Sequence, residues 1–145
     1  MPFRFRMQKV LEYREQLEEE ARAGLAQARQ RHEQALVERD RLKDELGAAE
    51  RQARESPLMS PGELWISQQY RKGLASDLNA AEMQERMTAQ LQDEARKLLA
   101  VRAIDKKLLE KLRERQKQHW QRAEMLKEQH FNDEIATVRN KVQHF

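Results

Sequence analysis

The 145 residues carry a formal net charge of only +3, yet 37% of them are charged and the mean hydropathy is −1.03. Such polarity leaves too little apolar surface for a thick core, and the dominance of Glu, Gln, Lys, Arg, Ala and Leu is the composition of a coiled coil or long helix. The absence of Cys excludes a disulfide framework and a thiolate metal site, and no apolar run approaches the roughly 18 residues of a membrane span.

The opening Met1-Pro2-Phe3-Arg4-Phe5-Arg6 is basic but lacks the apolar stretch of a signal peptide. The expected compartment is the cytoplasm. Disorder competes as a reading of so polar a chain, and regular apolar spacing argues against it. The expectation is one all-α coiled-coil domain over 1–145, an antiparallel two-helix hairpin with a longer second helix.

A first helix is expected over about 3–56. Phe3, Met7, Val10, Arg14, Leu17 and Ala21, then Leu25, Ala28, His32, Ala35, Arg39, Leu42, Leu46, Ala49 and Ala53, step by four and three as a heptad seam does. The alternation breaks at Leu17, Ala21 and Leu25, a stutter that would locally unwind a left-handed supercoil. Gly24 beside it costs about 1 kcal/mol of helix stability against Ala. On the outer surface Glu18 with Arg22 and Glu50 with Arg54 have the spacing of helical ion pairs. Pro57 disfavours helical geometry at Ser56, so the turn is placed at 57–60.

The second helix is expected over about 61–143. Ser60 can cap it, Pro61 suits its first position, and Glu63 completes a capping box. Leu64, Trp65, Ile66, Tyr70, Leu74, Leu78 and Ala81 mark its inner face near the turn. Leu91, Ala95, Leu98, Leu108 or Leu109, and Leu112 continue it, with polar interruptions at Gln84, Asp105 and Gln116. Adjacent large residues cannot all face one thin seam. Some of Leu58, Met59, Leu64, Trp65 and Tyr70 are therefore expected on the surface at the tip, as a contact site.

Unequal lengths give a second site. At 1.5 Å per residue the helices span about 80 and about 125 Å, so Phe3 falls near residue 115 or so and roughly the last 30 residues lack an intramolecular partner. That stretch carries Phe131, Ile135, Val138, Val142 and Phe145, again spaced four and three. An unpaired helix with an apolar stripe fits a partner groove; a frayed end or self-association is the alternative.

Charge is uneven. Residues 96–127 hold 11 basic and 4 acidic side chains, whereas residues 1–56 hold 12 of each. The basic stretch is either a solvated helix face or a surface for an acidic protein. Nucleic acid is not expected, because Asp105, Glu110 and Glu114 interrupt the basic residues and no zipper, zinc-ligand or aromatic pattern accompanies them. Catalysis is not expected either. Gly-rich phosphate loops, His-Glu-x-x-His and nucleophile elbows are absent, and a hairpin has no cleft. His32, His119, His130 and His144 are scattered, and His130 with Asp133 or Glu134 reads as a surface cluster rather than a metal site. No cofactor and no metal are expected.

The opening from Phe3-Arg4-Phe5-Arg6-Met7-Gln8-Lys9-Val10 to Leu11-Glu12-Tyr13-Arg14 resembles the start of the FliJ family of flagellar export proteins. Glu18-Glu19-Glu20-Ala21-Arg22-Ala23-Gly24-Leu25 and Asn132-Asp133-Glu134-Ile135-Ala136 are similar to that family's acidic-to-Ala/Leu stretch and its short Asp-Glu-x-Ala element. The resemblance covers the whole chain on short motifs. It implies a non-enzymatic stalk of the flagellar type III export apparatus, cytoplasmic and peripheral at the inner membrane without insertion into it, and monomeric in isolation. Its implied partners are the hexameric export ATPase, the cytoplasmic part of the export gate, and export chaperones. Phe131, Asp133, Glu134, Ile135, Val138 and Val142 would meet the ATPase; Leu58, Met59, Trp65, Tyr70 and Leu74 would meet gate or chaperone. A virulence-type secretion stalk and a self-associating structural coiled coil are the alternatives.

Overall fold

The computed structural model describes residues 1–56 and 59–143. It holds two α-helices packed against each other, α1 (Gln8–Glu55, 48 residues) and the longer α2 (Pro61–Gln143, 83 residues), with no strand among the described residues. α2 begins at Pro61 as expected and runs to Gln143, the last described residue. Ser60 caps it, its Oγ accepting the Glu63 backbone N–H at 3.3 Å, and Pro61 occupies the first helical position. Pro57 and Leu58 lie outside the described residues; before them, the Ser56 N–H still donates to the Gln52 carbonyl.

α1 starts five residues later than expected. Phe3–Met7 forms a non-helical lead-in closed by Gln8 N–H donating to the Phe5 carbonyl at 3.1 Å. Phe5 is buried with Leu11 and Leu109, and Phe3 lies against Trp120 with ring centroids 6.1 Å apart. Phe3 thus reaches further along α2 than residue 115, because extended chain covers about 3.3 Å per residue against 1.5 Å in a helix.

The chain divides into two units. One joins Met1–Glu18 to the chain from Val101 onward; the other is Glu19–Ala100. In each the helices run antiparallel. In the first, Leu11 packs on Leu109 and Phe3 on Trp120, so partner numbers rise as those of α1 fall. In the second, Leu42 packs with Leu74 and Ala81, whereas His32, earlier in α1, meets Thr88.

The seam differs from the expected one where charge is buried. The buried and half-buried positions of α1 include Leu11, Arg14, Glu18, Ala21, Leu25, Ala28, His32, Ala35, Arg39, Leu42, Leu46, Ala49 and Ala53. Their steps alternate three and four throughout, so there is no stutter. Glu18, not Leu17, takes the seam position, while Met7 and Val10 are exposed. On α2 the seam includes Arg71, Leu74, Leu78, Ala81, Glu85, Thr88, Gln92, Ala95, Leu99, Arg102, Lys106 and Leu109. Leu91, Leu98 and Leu108 point outward instead. The reason is cross-helix pairing. Lys106 Nζ lies 2.7 Å from the Glu18 carboxylate, Arg39 2.6 Å from that of Glu85, and Arg14 donates to the Asp105 carbonyl at 2.8 Å. Polar groups matched this way occupy core positions without an orphaned charge.

His32 Nδ1 sits 3.1 Å from Thr88 Oγ1. That hydroxyl donates its one proton to the Gln84 and Glu85 carbonyls, each 2.9 Å away. The contact joins the two helices at a seam position, with the donor set by the His32 tautomer. On the surface, Arg41 pairs with Glu38 and Glu45, and Arg54 Nε donates to the Glu50 carbonyl rather than to its carboxylate.

Candidate docking surfaces

The first turns of α2 present the expected cluster of large residues. Leu64, Trp65, Ile66 and Tyr70 are all exposed. Four such positions spread over more than a third of a helix circumference, and α1 covers only a narrow strip. A groove of about 300 Å³ lies beside them, lined by Ala49, Gln52 and Ala53 of α1 and by Met59, Glu63, Ile66, Ser67 and Tyr70. The α1 side is small because its seam there is alanine. Of the expected site residues, Trp65 and Tyr70 are on the surface and Met59 is half-buried on the groove wall, while Leu58 lies outside the described residues. Leu74 is a correction. It is buried with Leu42 and Ala81 and supports the seam instead of presenting a surface, because the four-three pattern carries it inward.

The last turns of α2 present the second surface. Beyond Trp120 the lead-in of α1 ends, and every described side chain from Met125 to Val142 is exposed. Phe131, Ile135 and Val138 line a shallow groove with Glu134 and Arg139, and Val142 extends the same stripe. Asp133 lies outside the lining; its carbonyl accepts the Thr137 hydroxyl at 2.8 Å. Phe145 lies outside the described residues.

Met83 and Met87, also exposed, were not singled out in the sequence. Their spacing of four from each other and from Leu91 was the available signal. In the basic stretch, Lys106 is engaged with Glu18 and with Glu110, and Lys97 with Asp93 at 3.2 Å, whereas Lys107, Lys111, Arg113, Arg115 and Lys117 are exposed. Among the described residues no His, Asp and Glu side chains are grouped to hold a metal ion, and no helix is long and apolar enough to cross a membrane.

What this arrangement can do chemically is bind. Each surface is convex or shallow, apolar at its centre and charged at its rim, the form of a helix that docks into a complementary groove. The family described as flagellar FliJ protein matches residues 3–143, so the match takes in both surfaces. No curated protein and no solved structure matches the chain. With nearly its full length accounted for by that one family, the chain belongs to the flagellar FliJ proteins.

Proposed function

We propose that this chain is a non-enzymatic component of the flagellar protein export apparatus, and that it binds the hexameric export ATPase through the last turns of α2. The supporting observation is the exposed stripe Phe131, Ile135, Val138 and Val142, which no described residue of α1 or its lead-in covers. An apolar stripe at heptad spacing on a preformed helix docks into a groove at little ordering cost. Glu134 lines the groove beside these apolar positions and would orient docking, whereas Asp133 stands on the opposite side of the helix. The first turns of α2, with Trp65, Tyr70 and the groove at Met59, are the surface offered to the export gate or to export chaperones. The protein works in the cytoplasm at the inner-membrane export apparatus without entering the bilayer. Membership of a flagellar family favours this setting over a virulence-type system.

The test is co-purification with the export ATPase and its hydrolysis rate. Full-length protein should bind and stimulate hexamer formation and hydrolysis; a chain truncated after Arg122 should do neither. Equal binding by the truncated chain would overturn the assignment of the stripe.

A further inference from the structure

The end of α2 also carries the features of a surface for its own copy. Glu124, Glu128, Phe131, Ile135, Val138 and Val142 step by four and three, and Trp120 lies one turn before Glu124. The stripe therefore continues the face on which the α1 lead-in lies at Trp120. A helix antiparallel to α2 on this stripe would prolong the path that α1 already takes.

We infer that two copies of this chain associate weakly through their last turns, antiparallel, with Phe131 of each against Val142 of the other and Ile135 against Val138. Such a two-fold contact repeats every pairing twice. Large residues then meet small ones, and Glu134 of each copy flanks Lys141 of the other, an attractive pair at the rim of both ends of the contact. All of these side chains are exposed in the single chain. The parallel alternative fails on two counts. Glu124 and Glu128 would face their own copies across the seam, and the second copy's chain near residue 120 would run into the lead-in packed on Trp120. With four apolar residues from each side, the contact is small beside the roughly 1,200 Å² of a stable interface and belongs with weak, transient associations. Given the functional reading above, a second copy and the ATPase compete for one stripe, so free protein at high concentration is held back from the ATPase.

Sedimentation equilibrium on the full chain, from micromolar to near-millimolar concentration, tests this. A monomer–dimer equilibrium is expected, with Ile135→Asp monomeric throughout. Glu134→Lys should weaken the dimer by about tenfold, and adding Lys141→Glu should restore it. Because the native chain has no Cys, orientation can be read directly. Ile135→Cys mixed with Val138→Cys should yield a crosslinked heterodimer faster than either variant alone. A chain that stays monomeric, or rescue by Arg139→Glu in place of Lys141→Glu, overturns the proposal. An unchanged helical circular dichroism signal shows that each variant is folded. A chain that self-associates but does not bind ATPase refutes the functional reading and leaves this one standing.

Discussion

Leu11 is 1% exposed and Val10, its neighbour, 40%. Leu11→Ala should cost about 2–4 kcal/mol of stability by urea denaturation, while Val10→Ala should stay within about 0.5 kcal/mol. Equal costs would return the seam to Val10. The same one-residue shift separates Leu17 from Glu18, and there sequence reasoning went astray. Leu17, Val10 and Met7 carry the apolar spacing, whereas Glu18, which takes the seam position, is charged. The buried carboxylate is matched by Lys106 from the other helix, and that partner lies far away in sequence. Glu18→Gln should destabilise by about 1–3 kcal/mol, the lower end if Lys106 reaches water, whereas Glu18→Leu with Lys106→Leu should recover the loss. At the surface, the hydrogen bond from Arg41 holds the Glu38 carboxyl below its ordinary range. Its small contribution is present above the ordinary carboxylate pKa and is lost as pH falls through the lowered folded value. Arg41→Ala should accordingly raise the Glu38 titration midpoint followed by carboxyl NMR.

The helices themselves were legible wherever the chemistry is local. Ser60, Pro61 and Glu63 announce the start of α2 within four residues, and the cap forms as expected. Ser60→Ala should cost about 1 kcal/mol, seen as a lower thermal midpoint. The start of α1 was less legible. Phe3 and Met7 have helical spacing, but Phe3 and Phe5 are held by contacts with α2 rather than by a helix of their own. Gly24 sits in α1 with nothing within 4 Å of where a Cβ would stand. Gly24→Ala should therefore stabilise the protein by up to about 1 kcal/mol. A loss of stability there would mean that the glycine has a packing role that the open space does not suggest.

Taken whole, the molecule keeps its stabilising contacts and its proposed binding contacts on different residues. Ile135→Asp should leave the thermal midpoint of the dilute protein unchanged, because Ile135 touches no core cluster, yet it should abolish stimulation of the ATPase. Loss of both together would make the last turns part of the fold instead. The existence of a free helix end was visible from the early turn alone, since counting residues on either side needs no contacts. Where that end begins was not visible, because it depends on register. The Glu18–Lys106 pair favours that register in its unit: sliding the helices by one heptad in either direction would set Lys106 opposite Leu11 or Leu25 and break its contact with Glu18. Each such slip would change the uncovered length of α2 by about 10 Å. One buried ion pair is therefore also a ruler: it sets how much of α2 extends past the lead-in and, if the proposed function holds, how much of it is left for a partner.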